Sequence, residues 1–282
     1  MGKHMIMDGK DMRTLLERTT FTGDLTVDVR SLIEFFDVNT DARQDASSIK
    51  AILGEELAVA CMMRYFQSKG QRAELLTERL APSRRLPCTT GGRKGFQLDG
   101  WFVVEKDRVR DCYQTEIKSW SFHGIGGRDQ RLLIEGEENS KTLAQKRYIF
   151  SRYYDARSQS LIHSGTKKVL LQMRQPQAPK KMPQYPTESP KPLLCLWAPV
   201  CRADSDRSEI FFRVPIASFE PLKKENGAIC APGGFTEVNV FSVSNYLRAA
   251  LNTSASSGGP QTISLPLPRI AERIRLLSAI FS

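Results

Sequence analysis

The chain has 282 residues, 40% of them hydrophobic and 26% charged, with a formal net charge of +10. That length and balance suit a soluble globular protein able to bury a proper core. No apolar run approaches the length needed to cross a bilayer, and the opening segment is polar without a signal-peptide core, so a membrane protein is not expected.

Ser47 to Lys69 is expected to be a helix. Ile49, Ile52, Leu53, Leu57, Ala60 and Met63 recur at helical spacing, Ser47 or Ser48 can cap the start, and Gly70 follows the end. Glu56 falls within that apolar face. A carboxylate there must be paired or bound to something, because burying an unpaired one is very costly. Glu55 is the alternative, about a hundred degrees away around the helix.

A first strand is expected within Arg84 to Thr89. Phe96 to Glu105 and Arg110 to Trp120 read as the next two strands, with Lys106-Asp107-Arg108 as the hairpin turn between them. Alternation places Glu116 and Lys118 on one face of their strand and Ile117 on the other. Antiparallel pairing about the turn brings Asp99 near Glu116 or Lys118. Two carboxylates that close repel unless a cation sits between them, and hard oxygen ligands suit Mg²⁺ or Mn²⁺. Such an ion can activate a water and stabilise charge on phosphoryl oxygens, while a lysine orients or deprotonates that water.

Beyond a glycine-bearing loop, Ser121 to Arg128, a helix is expected from about Asn139 to Ala156 and a strand from Lys167 to Met173. The helix carries Lys141, Gln145, Lys146 and Arg147, and Lys141 and Gln145 are one turn apart. Residues 141 to 191 hold eleven Lys or Arg against two acids, Asp155 and Glu188, so +9 of the total arises there. Clustering of this kind is the electrostatic footprint of a nucleic-acid binder.

Gln175 to Pro192 contains six prolines and three lysines with no aliphatic run, and reads as a linker or long excursion. It separates residues 1–174, the expected core with an N-terminal extension, from a C-terminal extension of residues 193–282. Within the extension, Leu193 to Val200 and Glu209 to Ile216 read as strands, the first able to extend the core sheet, and Val243 to Leu251 as a short helix. Asn252 to Gln261 reads as a mobile Ser- and Gly-rich segment, and Pro268 to Phe281 as an amphipathic helix. Six cysteines are scattered without a CxxC pair, so disulfides and structural zinc are not expected and a reducing cytoplasm is.

Asp99, a gap of sixteen residues, and then Glu116-Ile117-Lys118 resemble the PD-(D/E)XK, or restriction-endonuclease-like, nuclease superfamily. Leu98 stands where the motif's name has proline. The resemblance implies an α/β fold with an αβββαβ core, a mixed central sheet flanked by helices, here followed by the C-terminal extension. It implies that Asp99 and Glu116 hold metal, that the Ile117 carbonyl adds a ligand, and that Lys118 serves the nucleophile. Gly54-Glu55-Glu56-Leu57-Ala58 looks like the acidic segment of the family's first helix, contributing Glu56, or Glu55 instead, directly or through water. Lys141, Gln145, Lys146 and Arg147 would lie against the nucleic-acid backbone.

The activity so implied is Mg²⁺- or Mn²⁺-dependent hydrolysis of phosphodiester bonds, with DNA favoured over RNA and neither fixed by the sequence. No G-x-x-x-x-G-K-[ST] loop is present, so the chain carries no recognisable nucleotide-driven motor. At this size it resembles the nuclease subunits of bacterial anti-phage systems, Hachiman-type systems among them, that work beside a helicase or ATPase. Two rival readings are a stand-alone homodimeric restriction endonuclease and a nucleic-acid-binding or scaffolding protein that keeps the fold without the chemistry.

Overall fold

The computed structural model describes residues 25–30, 32–33, 44–76, 85–86, 96–97, 100–118, 191–197, 207–215, 236–258 and 261–266. They form a mixed α/β architecture. Its centre is a six-stranded sheet in the order β2–β5–β6–β7–β9–β8, made of β2 (Arg72–Leu76), β5 (Gly100–Lys106), β6 (Val109–Lys118), β7 (Lys191–Leu196), β8 (Phe211–Pro215) and β9 (Glu237–Ser242). The strands β2, β5 and β6 are an antiparallel meander, β7 runs parallel to β6, β9 runs parallel to β7, and β8 closes the far edge antiparallel to β9. Two short ladders stand apart from this sheet. β1 (Leu25–Asp28) pairs with β10 (Thr262–Leu265), and β3 (Arg85–Leu86) pairs with β4 (Phe96–Gln97).

The long helix α1 (Gln44–Ser68) extends the expected one by a turn at its start. Gly70 ends it at a φ of +72°, with Gln71 N–H donating to Phe66 O at 3.0 Å and Gly70 N–H to Gln67 O at 2.9 Å. That pair of bonds is a Schellman closure, which needs a left-handed residue and so favours glycine. Every residue from Glu56 to Met62 is buried. A helical stretch buried on every side lies inside a core rather than on it, and α1 indeed touches the sheet, β10 and the second helix, α2 (Val243–Ser257).

Aromatic rings join α1 to the sheet. Phe66 meets Phe102 of β5 at 5.8 Å and Phe211 of β8 at 5.3 Å between centroids, while Tyr65 meets Phe241 of β9 at 5.6 Å. The Phe66–Phe211 and Tyr65–Phe241 pairs are edge-to-face, an arrangement that contributes about 0.5–1.5 kcal/mol beyond the area it buries. The α1 face of the sheet presents Ala73, Phe102, Val104, Tyr113, Ile117, Leu193, Cys195 and Phe241 to one continuous core. The opposite face buries a second set, Val103, Leu194, Leu196, Phe212, Val214, Val238 and Val240. A sheet covered on both faces explains why its central strands are almost unbroken apolar runs.

Several expectations change. The first strand of the main sheet is Arg72–Leu76 rather than a segment within Arg84 to Thr89, of which only Arg85–Leu86 is a described strand and pairs elsewhere. Arg72 and Glu74 alternate with Ala73 and Leu75 in this edge strand, a pattern with weak β propensity. Phe96 to Glu105 is not one strand: Phe96–Gln97 pairs with β3 and Gly100–Lys106 with β2 and β6. The expected linker runs into the sheet, since Lys191 and Pro192 open β7. The C-terminal region supplies three strands of the sheet, β7, β8 and β9, rather than one. The helix over Val243 continues through Ser257, because Thr253 Oγ1 donates to Ala249 O and Ser256 Oγ to Asn252 O, both at 2.9 Å, so these hydroxyls stay within the helix. The expected helices from Asn139 and from Pro268, and the strand from Lys167, lie outside the described residues.

Candidate metal centre

The hairpin that carries the motif is set by its turn. Lys106 pairs with Val109 across Asp107 and Arg108, which adopt φ values of +50° and +68°. Two successive left-handed residues match the right-handed twist of the strands, as in a type I′ turn. Arg110 Nε donates to Glu105 Oε2 at 3.0 Å beside the turn. From there the register runs without interruption to Gly100 opposite Thr115. Asp99 lies outside the described residues, and so does the side chain of Lys118, whose backbone closes β6 opposite Leu196 of β7.

At this end β6 is fully enclosed: Gln114, Thr115 and Glu116 are each 0% exposed and Ile117 is 4% exposed. Ile117 belongs to the core under α1. Alternation along the strand therefore turns Glu116 to the other face, the one that buries Leu194, its partner on β7, and Val240. A buried carboxylate in the middle of a covered sheet is costly unless its charge is compensated, and Glu116 does have partners.

The acids of α1 sit on the other side of the sheet. Trp197, the residue after β7, donates from Nε1 to Gly54 O at 2.9 Å, and Phe66 packs over Phe102. The helix thus runs antiparallel to β6 and β7 and brings its Gly54 end to their carboxyl ends. Glu56 is 6% exposed and Glu55 is exposed. At about 100° per residue, Glu55 falls within about 20° of Met62 and Phe66, the stripe that meets the sheet, and Glu56 points well away from it. A carboxylate from α1 could reach Glu116 only around the carboxyl end of β6. The expected contribution of Glu56 or Glu55, direct or through water, would have to be made at that end.

Carboxylate and carbonyl oxygens are hard donors, so a site built on Glu116 would suit Mg²⁺ or Mn²⁺ rather than a thiolate-seeking metal. Among the described residues, no three His, Cys, Asp or Glu side chains gather closely enough to hold an ion. Lys141, Gln145, Lys146 and Arg147 lie outside the described residues.

The opposite end of β6 holds a polar cluster that sequence reading did not single out. Lys191 Nζ contacts Asp111 Oδ1 at 2.5 Å, and Tyr113 Oη donates to Asp111 Oδ2 at 3.4 Å. Burial first, and then Asp111, push the Tyr113 phenol well above its ordinary range. The run of charged and aromatic residues in β6 signalled this end only weakly, since Lys191 is eighty positions away. The cysteines Cys61, Cys112 and Cys195 are free thiols, with Cys61 and Cys195 in the core and Cys112 half-buried.

Comparison with protein families, with characterised proteins and with solved structures returns no match. Among the described residues, no helix is long and apolar enough to cross a membrane.

Proposed function

We propose that the chain is a Mg²⁺-dependent nuclease of the PD-(D/E)XK type that hydrolyses phosphodiester bonds of DNA. The observation that carries the reading is the position of Glu116: a fully buried acid two residues before the carboxyl end of a central strand, beside the rung Gly100–Thr115 that immediately follows Asp99 in the chain. The described order supports it too. A helix, a three-stranded antiparallel meander ending in Glu116-Ile117-Lys118, and a parallel strand reached by a long crossover agree with an αβββαβ core. In that core β7 takes the place of the last strand.

Asp99 and Glu116 would hold the metal with the Ile117 carbonyl, and the ion would supply Lewis acidity and an activated water. Lys118 would orient that water or take its proton. The acid of α1 would approach around the end of β6, and Glu55 fits that approach better than Glu56 by its exposure and its stripe. The basic stretch from Lys141 to Lys191 would hold the DNA backbone, contacts that carry no base information. Lacking a nucleotide-binding loop, the chain would act beside a helicase or ATPase in anti-phage defence.

A second reading has one observation in its favour. Complete burial of Glu116, with the acids of α1 on the other face, also suits a nucleic-acid-binding protein that retains the fold and has no catalytic centre. Incubation of plasmid and single-stranded DNA with Mg²⁺, Mn²⁺ or EDTA separates the two. Metal-dependent cleavage lost in Glu116→Gln supports the nuclease, and binding without cleavage supports the scaffold.

A further inference from the structure

Trp197 joins three elements at the end of the sheet where the metal centre is proposed. It is 3% exposed and follows β7 directly, and Leu196 before it pairs with Lys118. Its indole N–H donates to Gly54 O in α1 at 2.9 Å. Its own carbonyl accepts from Ser244 N–H at 3.3 Å and from the Ser244 hydroxyl, in the first turn of α2. Trp197 is thus held by buried hydrogen bonds at its indole and, separately, at its backbone carbonyl.

The acceptor is unusual. A carbonyl inside a helix already bonds to the N–H four residues on, and its second lone pair takes the indole without breaking the helix. Gly54 is a buried glycine in a helix interior, a choice that costs about 1 kcal/mol relative to alanine. A residue with no side chain lets the ring approach the backbone of that turn. The next two residues are Glu55 and Glu56, about 1.5 and 3 Å further along the axis.

We infer that Trp197 is a positioning residue: its bond to Gly54 sets the axial and rotational position of the α1 turn carrying Glu55 and Glu56 against the carboxyl end of β6. This rests on the nuclease reading of Glu116. Packing alone leaves a helix free to slide or turn by fractions of an ångström, and a directional bond at this turn removes that freedom where a metal ligand would need it.

The test uses the full chain and Mn²⁺ binding followed by calorimetry, with unfolding in urea measured alongside. Trp197→Phe keeps an aromatic ring and loses the donor. It is expected to weaken Mn²⁺ binding about fivefold to tenfold, the scale of one buried hydrogen bond. Ser244→Ala, which removes one of the two bonds to the Trp197 carbonyl and keeps the backbone one, shifts affinity in the same direction by a smaller factor. Val27→Ala on β1 is a packing control that lowers stability without removing either bond of Trp197 and leaves Mn²⁺ affinity within about twofold. Unchanged affinity in Trp197→Phe, or an equal loss in Val27→Ala at matched stability, overturns the positioning role while leaving the nuclease reading in place. Absence of Mn²⁺ binding in the wild type, or binding unaffected by Glu116→Gln, overturns the nuclease reading and the positioning role together.

Discussion

Gly100 on β5 lies opposite Thr115 on β6, the last described rung of the hairpin, with Asp99 next to Gly100 in sequence and Glu116 next to Thr115. Covalent geometry keeps the Cα atoms of Asp99 and Gly100 about 3.8 Å apart, so the two acids of the motif are each anchored one residue from a fixed rung. The register arises from the two-residue turn at Asp107 and Arg108 and from the apolar faces that β5 and β6 share.

The two glutamates of α1 are expected to behave differently. Glu55 is exposed on the stripe of Met62 and Phe66, and Glu56 is buried; both have interaction partners. Glu55→Ala should leave unfolding in urea within about 0.5 kcal/mol of wild type, as is usual for surface positions. It should slow Mg²⁺-dependent cleavage by about tenfold or more, as loss of a supporting ligand does. Glu56→Ala should cost about 1–3 kcal/mol of stability by leaving buried partner groups unsatisfied. The reverse pattern would return the metal-side role to Glu56.

The turn of the motif hairpin stores strain that can be relieved. Arg108 holds a φ of +68°, a conformation that costs an L-residue about 1–2 kcal/mol and glycine almost nothing. Arg108→Gly also gives the unfolded chain more freedom, which offsets part of the gain. The net expectation is about 0.5–1 kcal/mol of added stability in urea titration, with the register and any activity retained.

Much of this fold is legible in the sequence, and the losses have physical causes. The helix of α1 shows in its periodicity and in Gly70, and β6 shows in its Glu-x-Lys ending. The strand β9 does not, because Asn239 looks like a polar break. In the fold that residue is buried and its amide donates to Pro192 O at 3.1 Å, which satisfies it inside the sheet. The tail of α2 reads as loop because its hydroxyl residues favour turns in isolation, whereas here they bond back to helix carbonyls. Strand alternation predicted that Glu116 and Ile117 would face opposite ways. Only the packing of α1 against Ile117 reveals that the helix acids lie on the far side from Glu116. The bond from Trp197 to Gly54 spans 143 positions and has no local signal at all.

Alkaline pH should lower stability through buried groups that resist ionisation. Burial pushes the Cys112 thiol up from 9.0 to about 11. Below pH 9 the folded and unfolded chains both keep this proton, so stability is unaffected. Between pH 9 and 11 the unfolded chain releases it while the folded chain does not, and stability falls as pH rises. Urea midpoints for Cys112→Ala are therefore expected to decline less steeply than wild type across that window. Parallel profiles would show that Cys112 ionises alike in both states.

Cleavage of plasmid DNA by the purified protein, with Mg²⁺, Mn²⁺ or EDTA and with a candidate helicase or ATPase partner present or absent, bears most directly on the proposed metal centre at Glu116. The expected result is cleavage with either metal, none with EDTA, and losses of about a hundredfold or more in Glu116→Gln and Lys118→Ala while DNA binding persists. DNA bound but uncut by the wild-type chain under every metal and partner condition, or cut equally well by Glu116→Gln, would contradict it.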